Sequence, residues 1–177
     1  RGGGQVEEEL YRRVERILYS YYRKLQEVAR KKLALATVEN HIKDIRRLLV
    51  DADELIPSLG MTGKYAVAVG GSRGLGSPTE NIYQLHSRTV GHLQNQLAKL
   101  MHRKVKLKMR IMRLEVETEG ITFILKLLED VERDIVEQRY CYKRSNLQIG
   151  MALGMDESTV RYKRQAIIEK IGKHLGK

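Results

Sequence analysis

Cysteine, proline and the largest aromatic residues are nearly missing from this chain. A single cysteine, Cys141, excludes an intramolecular disulfide and any cysteine-based zinc site, and fits a reducing compartment. Tryptophan is absent and Phe123 is the one phenylalanine. Long apolar runs are missing too. The most apolar stretch, residues 121–128, is interrupted by Lys126 and is far too short to span a bilayer. Nothing in the opening residues has the charged, apolar, small-residue order of a secretion signal. The expectation is a cytoplasmic protein without membrane association.

What is present is charge of one sign. Lys plus Arg outnumber Asp plus Glu by 33 to 22, for a net charge of +11. A surplus of that size favours a polyanionic partner, meaning nucleic acid or an acidic membrane surface. With 42% apolar and 31% charged residues the composition is that of a folded globular chain, and 177 residues suffice for one domain or two small ones.

The two prolines, Pro57 and Pro78, bracket six glycines, and residues 57–77 read as a linker or exposed loop with a short strand over 65–69. Everything outside reads as helical, so the expected fold class is all-α. Residues 1–56 form an N-terminal helical region, 78–117 a long basic helix, and 118–177 a terminal module. In the first region Val6, Leu10, Val14, Ile17, Tyr21, Leu25 and Val28 recur every three or four residues, one apolar stripe of an amphipathic helix. That stripe suits either a coiled-coil seam or packing within the monomer. Thr37 is positioned to cap a second helix carrying Val38, Ile42, Ile45 and Leu49 and ending near Asp53. Ser77, Pro78 and Glu80 make a strong start for the long helix, whose pattern weakens at Gly120. Between Lys99 and Arg113 it carries seven basic residues and no acidic one, a solvated face, a second DNA contact or an oligomer surface.

The sharpest signal lies in residues 118–177. Residues 121–128 and 131–142 read as successive helices, the second capped by Asp130. Ser145 or Asn146 caps a short helix with Leu147, Ile149 and Leu153, and Gly154 ends it by taking the left-handed conformation. Asp156 caps a last helix from Glu157 to about Leu175, with Glu157 at its positive end. Short helix, glycine turn and longer helix together make a helix-turn-helix. Gly150 is small where the two helices cross, and Ile149, Leu153, Val160, Ile167 and Ile171 form the shared core.

At about 100° per residue, the side of the last helix opposite that core carries Ser158, Arg161, Tyr162 and Gln165. These suit base edges in a major groove, Arg pairing with guanine and Gln with adenine. Lys143, Arg144, Lys163, Arg164 and Lys173 flank that face and suit phosphates. From Arg139 to Lys177 nine Lys or Arg face only three carboxylates, so charge and pattern agree. The expected partner is double-stranded DNA.

The stretch LEDVERDIVEQRYCYKRSNLQIGMALGMDESTVRYKRQAIIEKI, residues 128–171, resembles region 4 of sigma-70-type transcription initiation factors. Gly150 stands where that family usually has alanine. The resemblance implies promoter recognition through Ser158, Arg161, Tyr162 and Gln165. The aromatic-rich promoter-melting region of a full sigma factor has no counterpart here, and Tyr19, Tyr21 and Tyr22 sit at helical packing spacing. The whole layout is similar to phage-encoded late-gene regulators of the RinA/ArpU type. That similarity implies a phage or prophage regulator acting with bacterial RNA polymerase, with the N-terminal or long central helix available for homodimerisation. A small-terminase-like DNA-packaging protein, a stand-alone sigma-like factor and an adaptor without a DNA role stay open as alternatives.

Other motifs carry less. Gly60 to Lys64 has the wrong spacing for a phosphate-binding loop, and Tyr65 stands where Ser or Thr is required. Gly70 to Gly76 lacks a flanking strand and helix. His86, His92 and His102 are six and ten residues apart, not a metal-binding pair. Glu115, Glu117 and Glu119 would fan apart on a helix. No nucleophile, base and orienting group stand at compatible spacing, so no catalytic activity, metal or cofactor is expected.

Overall fold

A computed structural model describes residues 3–60 and 78–176, with side chains described over 8–52 and 80–176. The elements are α1 (Gly3–Gly60), α2 (Pro78–Lys126), α3 (Asp130–Val136), a π-helical turn (Glu137–Cys141), α4 (Asn146–Leu153) and α5 (Glu157–Leu175). Among the described residues there is no strand, and the protein is all-α. No helix among them is long and apolar enough to cross a membrane. Residues 61–77, with most of the glycine-rich segment, the strand expected over 65–69 and the Ser77 cap, lie outside the described residues.

Both long helices run further than their local signals suggest. Thr37 caps nothing. It lies inside α1, where its hydroxyl donates to the Leu33 carbonyl at 3.2 Å, which satisfies a mid-helix threonine without ending the helix. α1 then passes Asp53 and Pro57 and reaches Gly60. α2 likewise passes Gly120 and reaches Lys126. A mid-helix glycine costs about 1 kcal/mol relative to alanine. Burying one Leu or Ile contributes about 1.5–3 kcal/mol, and Leu114, Ile124 and Leu125 are all buried around Gly120, so packing wins.

The chain divides into two compact units. The first comprises Arg1–Lys31 and Arg110–Lys177. Its core takes Val14, Leu18 and Tyr21 from α1, Ile124, Leu125 and Leu128 from the end of α2 and just beyond, and the buried faces of α3, α4 and α5. The α1 stripe therefore packs inside the unit, with Val14, Tyr21 and Val28 buried as their spacing predicts, but not every member follows. Leu18 is fully buried, whereas Ile17 is half-buried and Leu10 and Leu25 are exposed. Polar ties join the same helices: Tyr21 and Thr122 share a hydrogen bond of 3.1 Å, and Lys24 pairs with Glu117 at 3.1 Å.

The second unit comprises Lys32–Met109. Val38, Ile42 and Ile45 are buried, as their spacing predicts. Lys104 pairs with Glu39 at 2.8 Å, and a ring nitrogen of His86 donates to the Ala52 carbonyl at 2.9 Å.

Candidate nucleic-acid interface

The segment from residue 129 to 176 is assembled by side chains that satisfy helix ends. Glu129, rather than Asp130, is the N-cap of α3, and its backbone N–H donates to Glu132 Oε2 at 3.0 Å. Asp130 instead pairs with Arg133 at 2.6 Å. The single helix expected over 131–142 is α3 followed by the π turn, in which the Tyr142 N–H donates to the Glu137 carbonyl at 3.2 Å. No local sequence signal marks this widening. It buries Tyr140 beside Ile135 and Val136.

The chain then reverses over residues 142–145. The Arg144 N–H donates to the Gln138 carbonyl at 3.0 Å, and Arg139 Nη1 donates to the Arg144 carbonyl at 3.0 Å. Lys143 takes φ 58°, a left-handed conformation uncommon for a side chain of this kind. Ser145 is the N-cap of α4. Its Oγ accepts from the Gln148 N–H at 3.2 Å while Gln148 Oε1 accepts from the Ser145 N–H at 2.9 Å, a reciprocal capping box.

Gly154 ends α4 at φ 65°, where an L side chain is strained. Gly150 is needed for a different reason from the one expected. A Cβ there would collide with the backbone carbonyl of Met155, so it is the turn, not α5, that leaves no room. The Met155 N–H donates back to the Gly150 carbonyl at 2.9 Å and locks the turn against α4. Asp156 is the N-cap of α5 through its backbone, and its side chain makes no capping hydrogen bond. Ile149, Val160, Ile167 and Ile171 are fully buried, and Leu153 packs partly buried against them.

The outward side of α5 carries the expected polar residues. Ser158, Arg161, Tyr162 and Gln165 are all exposed, Tyr162 to 77%. A groove runs beside Arg161 and Gln165, lined on its other side by Glu8, Leu10 and Tyr11 of α1. Two carboxylates thus edge this surface: Glu8, which pairs with Arg12 at 2.6 Å, and Glu169, which accepts from Gln165 at 3.4 Å. Of the flanking cations, Lys143, Arg144 and Lys173 are exposed and Lys163 is half-buried. Arg144 donates to Gln138 Oε1 at 2.5 Å and lies 5.9 Å from the Tyr142 ring centroid.

Arg164 departs from the expected set. Its side chain is only 12% exposed, and its guanidinium is held from three directions. Nη1 donates to Asn146 Oδ1 at 2.8 Å, and Nη2 donates to Glu15 Oε1 at 3.0 Å and to the Tyr11 hydroxyl. The same Glu15 oxygen accepts from the Tyr140 hydroxyl at 3.1 Å. Burial, reinforced by the Glu15 carboxylate, pushes the Tyr140 phenol well above its usual range, so it stays a neutral donor. Arg164 therefore braces α5 against α1 and the start of α4 instead of pointing to a ligand. A one-residue rotation around α5 decides this, and only the position of α1 reveals it.

A second brace joins α3 to α5. Lys170 pairs with Glu132 at 2.9 Å. Partial burial works to raise the Glu132 carboxyl, but the Lys170 ammonium and the Glu129 backbone N–H outweigh it and hold it below the ordinary carboxylate value. Within the basic run of α2, Arg110 pairs with Glu27 at 3.4 Å and Arg113 with Glu117 at 3.0 Å, so part of that charge is neutralised internally.

Among the described residues no three His, Cys, Asp or Glu side chains converge on a point where a metal ion would sit. No curated protein and no solved structure matches the chain. One family model does match, over residues 75–173, which is more than half of the chain and includes α2, α3, α4 and nearly all of α5. The chain belongs to the family described as "Protein of unknown function (DUF722)".

Proposed function

We propose that α4, its glycine turn and α5 form a helix-turn-helix that binds duplex DNA, and that the protein is a sequence-specific transcriptional regulator. The observation that carries this reading is the division of α5 into two faces. Val160, Ile167 and Ile171 are fully buried on one, while Ser158, Arg161, Tyr162 and Gln165 stand exposed on the other. Arg161, Tyr162 and Gln165 have the reach and hydrogen-bonding groups to read base edges, and Lys143, Arg144, Lys163 and Lys173 suit the phosphates beside them. The turn is fixed by Gly150 and Gly154, and Arg164 and Lys170 brace the reading helix from behind. A helix held this rigidly fits a recognition role, because base readout requires side chains at defined positions.

The resemblance of residues 128–171 to sigma-70 region 4 supports RNA polymerase as the protein partner, in the manner of a phage late-gene regulator. Leu147 and Met151, one turn apart on α4, are exposed to 50% and 75% and offer an apolar contact to such a partner.

The test is selection of bound duplexes from a random-sequence pool, followed by anisotropy titration across salt concentration. A site should emerge, with affinity falling steeply as salt rises. Arg161→Ala with Gln165→Ala should remove the preference for that site while circular dichroism stays helical and non-specific binding persists. Absence of salt-dependent duplex binding at low salt would refute the proposal. An undiminished preference in the double variant would move the reading face elsewhere on α5.

A further inference from the structure

Beside the terminal module, α1 presents cations that the α4–α5 surface does not include. Arg16 and Arg23 are both exposed and lie seven residues apart, so they share one face of the helix. With Lys143 they line an open cleft of about 330 Å³ between α1 and the loop that follows the π turn. Tyr19, Ser20 and Gln26 supply hydrogen-bonding groups to the same cleft, and no carboxylate lines it. Three cations and no carboxylate on its lining make the cleft a concentration of positive charge. Glu15, beside Arg16, is committed to Arg164 and Tyr140, and Glu27, one turn beyond Arg23, to Lys31 and Arg110.

Two further observations indicate that the cleft is built rather than incidental. Its walls are fixed to each other: the Tyr19 ring meets Tyr140 edge-on at 4.9 Å between centroids, and Gln26 donates to Cys141 Sγ at 4.0 Å. Lys143 holds its place at φ 58°, where glycine would be preferred for conformation alone. The strain is kept together with the positive charge.

We infer that Arg16, Arg23 and Lys143 form a second phosphate-contacting surface, by which α1 grips the DNA backbone outside the segment read by α5. This rests on the DNA-binding reading of α5. At 1.5 Å rise per residue, Arg16 and Arg23 are roughly 10 Å apart along the helix axis, a spread that suits a run of phosphates better than one small anion. These contacts add affinity without sequence preference, because phosphates carry no base information.

The experiment compares the full chain with the pair Arg16→Ala plus Arg23→Ala, on a selected duplex and on a random-sequence duplex, over a series of salt concentrations. Removing two phosphate contacts should lower the slope of log K against log salt by about two. Affinity should fall by the same factor on both duplexes, leaving the preference intact. Arg16→Lys plus Arg23→Lys should restore the slope, since the charge is kept. If the parent protein binds DNA and the alanine pair leaves slope and affinity unchanged, the cleft makes no DNA contact and only the α5 reading survives. If the lysine pair loses as much as the alanine pair, charge is not the cause and the inference fails. Selective displacement of DNA by inorganic phosphate, beyond chloride at equal ionic strength, would assign the cleft to a small anion instead. No duplex binding by the parent protein overturns the α5 reading and this one together.

Discussion

Glu15→Ala is the substitution that most directly tests how the terminal module is held. One Glu15 oxygen accepts from Arg164 Nη2 at 3.0 Å and from the Tyr140 hydroxyl at 3.1 Å. The Glu15 and Arg164 side chains are 23% and 12% exposed, so neither is fully screened by water. A hydrogen bond to a charged group contributes about 1.5–3 kcal/mol net, and leaving a buried donor unsatisfied adds to that loss. The two bonds share one oxygen and are not additive, while Tyr11 and Asn146 still hold the guanidinium. The expected loss is therefore about 2–4 kcal/mol, below the upper end for a fully buried pair. For a chain of this size that lowers the melting temperature by roughly 5–12 °C. Urea denaturation followed by circular dichroism measures it, and a cycle with Arg164→Ala isolates the pairwise part. Arg164→Ala should cost similar stability without changing the salt slope of DNA binding. Were Glu15→Ala within about 0.5 kcal/mol of the parent, and Arg164→Ala to lower the slope by about one unit, Arg164 would be a phosphate ligand after all.

Acid should loosen the α3–α5 brace. The folded Glu132 carboxyl is held below its ordinary value of 4.5, so its contribution is present above that value and is lost as pH falls through the folded value. The stability difference between the parent and Glu132→Gln should be constant near neutrality and vanish in acid. A difference that instead grew as pH fell would have the wrong sign for this account. Gly150→Ala should destabilise by about 1–3 kcal/mol, because the new methyl meets the Met155 backbone carbonyl rather than a side chain able to move aside. A neutral or stabilising effect in urea titration would show that the turn yields freely. Lys143→Gly should leave stability unchanged or raise it by up to about 1 kcal/mol by relieving the left-handed conformation, while weakening DNA affinity. Lost stability with undiminished affinity would remove Lys143 from both proposed contacts.

The features legible in the sequence are those that a few neighbouring residues decide among themselves. Ser145, one of the two candidate caps, does cap α4, Gly154 takes the positive φ that ends it, and α5 runs from Glu157 to Leu175 as its flanking signals indicate. The same locality misleads where packing intervenes. Thr37 has the chemistry of a cap but sits inside α1, and Gly120 weakens a helix that buried neighbours carry through. Ile17 and Leu18 both fit a three-or-four spacing in the α1 stripe, and only the partner helices choose Leu18.

The candidate site divides along the same line. Sequence alone determined the all-α class, the succession of a short α4, Gly154 and a longer α5, the buried Val160, Ile167 and Ile171, and the exposure of Ser158, Arg161, Tyr162 and Gln165. Each follows from helical periodicity and from backbone groups satisfied within a few residues. Tertiary structure decided that Arg164 is a brace, that the chain winds as a π turn over Glu137–Cys141, and that Arg16 and Arg23 come to line a cleft with Lys143. The brace and the cleft depend on where α1 lies, more than a hundred residues away in sequence. No periodicity or cap within the terminal module encodes the position of a helix that far from it.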